Sequence, residues 1–242
     1  MKTSLKNHNG NNLIAIFSAV AACVGASAFA QGAFQDLDFE EANIGPGQPG
    51  QVSVASALPG WTVDYTDAVQ NYQITTIPIN DRGSGGVVTS IIANGYPSYT
   101  TLTPIDGNDS VLLVYGGKLE GLLPLAAVAS ISQTGQIPIG TQSLLFTAQT
   151  FYTAGLTELE VSLGSDVLTF SPVMTQGQST IYGANIESFA GQTEQLTFSS
   201  GEGNLLLDDI SFSPVTITPE PQPYILMGIG GCLFALYRRL RP

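Results

Sequence analysis

Short β-prone runs recur along this chain at intervals of about ten residues, separated by glycine, proline, serine and threonine. In one of them Leu159, Val161 and Leu163 alternate with polar residues, so a strand here would have one apolar and one polar face. There is little helix signal, although residues 122–130 fit either a short helix or the start of a strand. The pattern predicts an all-β sandwich or barrel. The candidate strands read FQDLDFE, GWTVDYT, YQITTIPI, GGVVTSII, DSVLLVY, AAVASISQT, TQSLLFTAQT, TELEVSLG, DVLTF, STIYGANI, EQLTFSS and NLLLDDISF.

The first thirty residues have the parts of a secretory signal peptide, with Lys2 and Lys6 ahead of an apolar stretch. Ala28 and Ala30 supply the small residues that precede a cleavage site. The same segment allows a second interpretation, in which Cys23 belongs to a lipobox and becomes a lipidated N-terminus. Either interpretation predicts that the protein is exported.

Removing a signal at 1–30 leaves a predicted β-sandwich domain at 31–213, followed by a linker at 214–218. A domain of this length can bury a single sufficient core. It has no need of disulfides, and it can form none, since both cysteines of the chain lie outside it, at Cys23 and Cys232.

The last 24 residues, 219–242, have a distinct order of parts. A proline-rich start is followed by an apolar run at 224–237, which as a helix would be about 21 Å long against a hydrocarbon core of about 30 Å. Flanking tyrosines and terminal arginines suit a short membrane helix with its C-terminus in the cytoplasm. The residues concerned are Pro219, Glu220 and Pro221 at the start and Arg238, Arg239 and Arg241 at the end.

This order resembles the PEP-CTERM sorting signal of Gram-negative bacteria that make extracellular polysaccharide. The resemblance implies recognition by an exosortase, a membrane protease of transpeptidase type, with cleavage near Pro219–Pro221. It also implies transient insertion in the inner membrane, followed by transfer to the cell surface or the extracellular matrix.

Charge and residue usage exclude several function classes. Between residues 31 and 218 there are eighteen acidic and two basic residues, a net charge of −16, which argues against nucleic acid as a partner. The single histidine, His8, lies in the signal, so Ser-His-Asp, Cys-His and histidine-ligated zinc sites are unavailable. A pair of carboxylates running glycoside hydrolysis is the remaining enzymatic alternative.

The run NLLLDDISF raises the question of a buried carboxylate. Strict alternation puts Asp208 on the same face as Ile210 and Phe212. If that face is the core, Asp208 needs either a cation or several backbone donors. Because few basic side chains are available, calcium is one expectation and backbone hydrogen bonding is the other.

The stretches LDFEEA, LPGWTV, IDGNDSVLLV and the closing run from Tyr182 to Pro214 resemble jelly-roll β-sandwich modules of the carbohydrate-binding kind. In that group a structural calcium often lies where the first and last strands meet. The resemblance implies a calcium site at Glu40 and Asp208, with Asp38 as a neighbour.

A sugar ligand would use an aromatic face together with polar groups that fix its orientation. Tyr96 and Tyr99, in the Gly/Pro loop NGYPSY, are the candidate ligand residues. The sequence therefore predicts a non-enzymatic surface or matrix protein that binds polysaccharide. The alternatives are a structural surface protein without a small ligand and a carboxylate glycosidase.

Overall fold

The computed structural model of the protein describes residues 32–45, 50–81, 86–96, 101–117, 126–150, 159–201 and 204–217. Within them the chain forms two antiparallel sheets packed face to face, which confirms the predicted all-β sandwich. The strands are β1 Gln51–Ser53, β2 Thr62–Thr66, β3 Asn71–Ile74, β4 Thr76–Pro78, β5 Val88–Ala93, β6 Asp109–Val114, β7 Gly116–Gly117, β8 Ala126–Gln136, β9 Ser143–Thr150, β10 Leu159–Leu163, β11 Asp166–Val167, β12 Phe170–Gln176, β13 Ser179–Asn185, β14 Thr193–Ser200 and β15 Asn204–Ser213.

The front sheet has the strand order β11–β10–β14–β8–β2–β3, with β7 paired to the start of β8. The back sheet has the order β12–β13–β9–β15–β6–β5, and β1 pairs with β4 in a small separate sheet. From β8 to β10, and again from β13 to β15, successive strands alternate between the two sheets. Segments far apart in sequence therefore meet at the edges and ends of the sandwich.

The core lies between the sheets because alternate residues on the facing strands are apolar. The front sheet contributes Val63, Ile131 and Phe198, and the back sheet contributes Phe146 and Leu207, all of them buried. The ring of Phe146 meets that of Phe198 edge to face, with centroids 5.3 Å apart. Rings from both layers thus join across the middle of the sandwich.

The back sheet is also covered on its outer side around β5, β6 and β15. Val88, Leu112 and Leu206 point away from the main core and form a second cluster, against which Leu102 and Ile105 pack. Every residue of β5 and β6 is buried as a result. Two covered faces explain why the runs Ile91–Ala93 and Val111–Val114 are apolar without alternation.

The two interpretations of residues 122–130 are resolved in favour of a strand from Ala126 onward. β8 is hydrogen-bonded to β2 on one side and to β14 on the other, and it buries Ile131 in the core. The single α-helix of the described ranges, Val54–Ala57, was not predicted; the hydroxyl of Ser53 caps it.

The first predicted strand, FQDLDFE, is wrong. Residues 34–40 form an irregular loop. The nearest β pairing is an isolated bridge at the preceding residue, Ala33. Asp36 and Phe39 take positive φ angles of 47° and 57°, which interrupt an extended chain. This loop carries several acidic side chains toward the middle of β15, where the carbonyl of Leu37 accepts the amide of Ile210 at 2.9 Å.

The expectation that Asp208 shares a face with Ile210 is also wrong. Residue pairing between β15 and β9 shifts after Asp208, where Asp209 takes a φ of 48°. This bulge adds one residue to β15, so the alternation changes phase. Ile210 points into the main core, whereas Asp208 lies on the outer side of the back sheet and contacts Ser110.

The predicted linker is bound to the back sheet as far as the structure describes it. We call residues 214–217 the strap. The hydroxyl of Ser143 donates to the carbonyl of Val215 at 2.7 Å, and the amide of Ile217 donates to Asn185 Oδ1 at 3.2 Å. These contacts hold the chain after β15 against the sandwich.

Both predicted targeting segments, 1–30 and 219–242, lie outside the described residues. A search of the described residues finds no helix long and apolar enough to span a membrane.

Candidate functional site

The outer surface of the front sheet carries small polar side chains across five neighbouring strands. In each strand the apolar residues point to the core, so their neighbours in sequence point outward. Strand pairing aligns these outward residues in rows across the sheet. We call this surface the polar face; its residues are Asp64, Ser130, Ser199 and Glu160 in one row, Thr62, the buried Ser132, Thr197 and Ser162 in the next, and Thr66 and Gln73 beside them.

Hydrogen bonds fix part of the polar face. Asn71 Nδ2 donates to Asp64 Oδ1 at 3.1 Å, and Thr66 Oγ1 donates to Asn71 Oδ1 at 2.9 Å. Gln195 Nε2 donates to the hydroxyl of Ser132 at 3.2 Å. The side chains at the β2–β3 edge are thereby oriented before any ligand arrives.

A shallow groove of about 330 Å³ lies on this face. It is lined by Thr66, Val128, Ser130, Glu160, Ser199, Ser200 and Gly201, so its described lining contains no aromatic ring. Hydroxyl groups both donate and accept hydrogen bonds, and carboxylates accept them. The groove suits a ligand that is rich in hydroxyl groups.

Seven carboxylates meet at one end of the sandwich from three separate segments. The 36–41 loop, the turn before β6 and the bulge of β15 supply them, and they interact electrostatically with one another. All seven basic residues of the chain lie outside the described ranges, so no described cation opposes this charge. We call the group the acidic cluster: Asp36, Asp38, Glu40, Glu41, Asp106, Asp109 and Asp209.

Glu40 ties the first loop to the turn before β6. Its Oε1 accepts the backbone N–H of Asn108 at 2.7 Å and that of Asp109 at 3.0 Å, and its Oε2 accepts Asn108 Nδ2 at 3.0 Å. Burial favours the protonated form, but these three hydrogen bonds outweigh it and hold the pKa of Glu40 below its usual value. Gly107, with a φ of 57°, lies so close to this carboxylate that a Cβ would clash with it.

Asp36 is the most confined member of the cluster, with 5 % of its surface exposed. Its Oδ1 accepts the amide of Glu41 at 2.9 Å, while its buried Oδ2 has no hydrogen-bond partner among the described residues. Burial, and then the charges of Glu41, Asp38 and Glu40, raise the pKa of Asp36 to about 6 against the opposing Glu41 hydrogen bond. An orphaned buried carboxylate oxygen is costly unless a proton or a cation reaches it.

Two further members have raised pKa values. Burial raises the pKa of Asp109 to about 6, and the charges of Glu40 and Asp36 add to it. Burial also raises the pKa of Asp209, with help from Asp106, Asp38 and Glu40. The like charges of the cluster therefore destabilise one another at neutral pH.

Asp208 lies beside the cluster in a hydrogen-bonded environment of its own. Its Oδ2 accepts the hydroxyl of Ser110 at 2.6 Å and the amide of Asp106 at 3.1 Å, and its Oδ1 accepts the amide of Asp209 at 2.9 Å. Burial nevertheless raises its pKa to about 7, since desolvation exceeds what these three donors supply. The structure thus gives Asp208 the backbone donors that the sequence analysis offered as one of its two expectations.

The predicted calcium set of Asp38, Glu40 and Asp208 is only partly brought together. The charges of Asp38 and Glu40 raise the pKa of Asp209, whereas among the described residues Asp209 is the charged neighbour that raises the pKa of Asp208. Among the described residues, no three acidic side chains converge in a geometry that would hold a metal ion as they stand. Sequence reasoning missed Asp36 and Asp209; the repeated acidic letters in QDLDFEE and LLDD were the available signal.

Tyr96, the predicted sugar-binding residue, is half-buried and packs against the main core. Its hydroxyl donates to the carbonyl of Ile44 at 2.9 Å, which pins the 44–45 loop. Tyr99 lies outside the described residues. Tyr96 is thus on the back-sheet side of the molecule, away from the polar face.

A comparison with protein-family models finds no match, and neither does a comparison with curated proteins. Solved structures with similar folds include the enzymatically active domain of tailspike protein 4 from bacteriophage CBA120, at 14 % identity and a TM-score of 0.34; the match covers 68 % of this chain and 21 % of that one. A carbohydrate-binding module of the β-sandwich superfamily matches at 12 % identity and a TM-score of 0.39, over 76 % of this chain and 63 % of that one. The family 11 carbohydrate-binding module of Clostridium thermocellum matches at 10 % identity and 0.35, over 71 % and 99 %.

The chain thus spans about a fifth of the tailspike domain and less than two thirds of the second structure. At these identities and TM-scores the likeness concerns the sandwich architecture only.

Proposed function

We propose that this chain is a non-enzymatic, exported protein of the bacterial surface or extracellular matrix that binds neutral polysaccharide through its polar face. Delivery would follow from the signal at 1–30 and the exosortase-type tail at 219–242, with transient insertion in the inner membrane of a Gram-negative cell. The alternation of strands between the sheets supports a jelly-roll form of the sandwich.

The observation that carries the proposal is the composition of the polar face. It offers rows of hydroxyl and carboxylate groups on a rigid sheet, with donors and acceptors close enough to engage several hydroxyl groups of one chain. Strands lie about 4.8 Å apart, so the five strands that form the face span about 19 Å, room for an extended chain of several sugar units. Binding here would rest on many weak polar contacts instead of on one aromatic platform.

The charge of the chain favours a neutral ligand. The mature region carries eighteen acidic residues against two basic ones, and Asp64 and Glu160 stand on the polar face itself. A phosphorylated or uronate-rich polymer would meet repulsion on approach.

The geometry of the face also favours binding over hydrolysis. Asp64 and Glu160 lie in one row, separated by β8 and β14. Three inter-strand steps place these strands about 14 Å apart, beyond the roughly 5–10 Å that separates the paired carboxyls of glycosidases. A carboxylate-dependent hydrolase remains the alternative that turnover of a chromogenic glycoside would reveal.

Native affinity electrophoresis tests the proposal. The full-length protein should be retarded in gels containing a soluble neutral β-glucan or galactan, and not in gels containing polygalacturonate. The double variant Asp64→Ala with Gln73→Ala should bind at least about fivefold more weakly, since each lost hydrogen bond contributes about 0.5–1.5 kcal/mol.

A matched control is Gln176→Ala with Gln178→Ala, two exposed residues of the β12–β13 hairpin on the back sheet. This control should keep the wild-type mobility. Absence of retardation with every neutral polymer would favour the other function class, a structural surface protein without a saccharide ligand.

We also propose that calcium stabilises the acidic cluster, whose side chains would have to move together around the ion because no three of these described residues converge as they stand. The orphaned Oδ2 of Asp36 and the mutual repulsion of Asp109, Asp209 and Glu40 are what a divalent cation would relieve, and calcium prefers carboxylate oxygens. Asp209 takes the position in this set that the sequence analysis gave to Asp208.

A further inference from the structure

A second cleft, of about 730 Å³, opens at the edge of the sandwich that is formed by β11 of the front sheet and β12 of the back sheet. The chain crosses from one sheet to the other at this edge. The volume of the cleft lies within the range of about 300–1,000 Å³ that is usual for small-molecule sites. The strap and the turn at Glu187–Phe189 close its other side, through Ile217 and Phe189.

The floor of the cleft depends on one glycine. The side chain of Ile217 lies directly over Gly183, and a Cβ at that position would clash with it. Gly183 pairs with Ser171 on β12, so the strap, β13 and β12 meet at this point. The cleft is therefore built from four separate segments of the fold.

Several polar side chains that line the cleft are open to solvent and make no hydrogen bond with another described residue. The carboxylate of Asp166 and the hydroxyls of Thr169, Ser171 and Ser188 are in this state. Asn185 accepts from the amide of Ile217 through its Oδ1, which leaves its Nδ2 group free to donate. Acceptors, a donor and hydroxyls that can do either thus converge on one volume.

Two aromatic rings give the cleft an apolar side. Phe170 is held from behind by Phe146 and Tyr182, at centroid distances of 5.3 Å and 5.8 Å, and Phe189 packs against the main core. Both rings are half-buried, so one part of each is fixed by the core and the rest faces outward. Rigid aromatic groups beside unpaired polar groups match the apolar C–H faces and the hydroxyl rim of a pyranose.

The charge of the cleft lining further restricts the class of ligand that can bind. No described residue of the cleft is basic, and Asp166 places a negative charge in its lining. A phosphate or a uronate would find no counter-charge here. The lining accepts an uncharged sugar most readily.

We propose that this cleft is a second saccharide site, which binds a short neutral oligosaccharide or the end of a neutral polysaccharide chain. The polar face is on the outside of the front sheet, whereas the cleft opens at the edge beside the outer side of the back sheet. One molecule can therefore hold two polysaccharide chains at once and connect them. This inference rests on the proposed function for its ligand class, but it uses a different set of residues.

Isothermal titration of the full-length protein with neutral di- to tetrasaccharides of glucose, galactose and mannose tests the site. At least one of these sugars should bind, and the double variant Asp166→Ala with Ser171→Ala should weaken that binding about tenfold or more. Neither side chain has a described protein partner, so the variant should fold normally. Phe189→Leu, which keeps apolar bulk but removes the ring, should weaken binding as well.

The polar-face variant Asp64→Ala with Gln73→Ala is the control that separates the two proposals. Its retardation by long polysaccharide should weaken, as stated above, while its binding of short oligosaccharides stays at the wild-type level. If no neutral oligosaccharide binds at millimolar concentration, or if the cleft variants bind as well as the wild type, the second site is refuted whatever the polar face does.

The viscosity of a polysaccharide solution measures whether one protein molecule connects two polysaccharide chains. Wild-type protein should raise the viscosity of a dilute solution of the neutral polymer that it binds, and the cleft variant should retard in the gel without raising viscosity. An equal rise in viscosity with the cleft variant would contradict the two-chain arrangement.

Discussion

Replacing Asp36 by asparagine should make the protein more stable at pH 8 in the presence of a chelator. Asp36 is almost fully buried, and one of its carboxylate oxygens has no described partner. Asparagine has nearly the same shape, keeps an oxygen for the amide of Glu41, and tolerates the positive φ of 47° at this position. The change therefore removes the charge and replaces the unpartnered Oδ2 with an Nδ2 group that likewise has no described partner.

The magnitude follows from the pKa. A pKa of about 6 for Asp36, against a usual value of 3.8, corresponds to an upper bound of about 3 kcal/mol, since one pKa unit is worth about 1.4 kcal/mol. Loop relaxation and water entry reduce such penalties, so we expect a gain of about 1–2 kcal/mol. For a domain of this size that gain would raise the melting temperature by roughly 2–8 °C.

The pH dependence has a definite sign. A carboxyl whose pKa is raised on folding contributes stability that is complete below about pH 4 and is lost as the pH rises through about 6. Asp109, with a pKa of about 6, and Asp208, with a pKa of about 7, act in the same direction, and Glu40, whose pKa is lowered, acts in the other. Without divalent cations the wild type should therefore lose stability between about pH 4 and pH 7.

Thermal unfolding followed by circular dichroism between pH 4 and pH 8, with chelator throughout, measures the effect. The wild type and Asp36→Asn should have similar melting temperatures at pH 4 and should diverge as the pH rises. Asp166→Asn, an exposed carboxyl outside the acidic cluster, serves as the matched control and should follow the wild type. A variant that is less stable than the wild type at pH 8 in chelator, or one with an unchanged pH profile, would refute the reasoning.

Repeating the series with calcium in place of chelator examines the cation proposal. Calcium should raise the melting temperature of the wild type by several degrees and that of Asp36→Asn by less, because an ion that binds only the folded state stabilises it. Equal responses of the two proteins would remove Asp36 from any calcium site.

Two other results are expected. Ser110→Ala should lower the free energy of unfolding by about 1–3 kcal/mol, because it removes a hydrogen bond of 2.6 Å from the buried Asp208 carboxylate. Ser162→Ala on the polar face should have little effect, and equal losses of the two variants in urea unfolding would contradict this assignment. Mass spectrometry of the protein secreted by an exosortase-bearing Gram-negative host should find Gln31 at the N-terminus and a C-terminus near Pro219–Pro221, and an intact leader or arginine tail on the secreted protein would overturn the proposed delivery.

Much of the fold could be predicted from alternation. In TELEVSLG and EQLTFSS the apolar residues mark the core side of β10 and β14. The polar residues between them mark the polar face. Alternation within one strand does not reveal which strands are neighbours, so the rows that make the polar face a surface became visible only with the sheet order. The cleft could not be predicted for the same reason. Its lining comes from segments that are separate in sequence and meet only in the folded sandwich.

The errors have physical causes of their own. The bulge at Asp209 changes the phase of β15, and nothing in the letters NLLLDDISF specifies an extra residue. The run FQDLDFE has the composition of a strand, but Asp36 and Phe39 adopt positive φ under tertiary constraints, such as the bond from the Trp61 indole to the Asp36 carbonyl at 3.0 Å. A pattern method assigns such a segment by its composition and misses these constraints.

The strap has a consequence for the precursor proposed above. Only six residues, Thr218 to Pro223, separate its last anchored residue from the apolar run that would enter the bilayer. Six residues reach about 21 Å at full extension, so the folded domain would be held almost against the lipid headgroups until it is cut. A processing enzyme would have to work in that narrow gap, and the released product would carry a C-terminal stub only a few residues long.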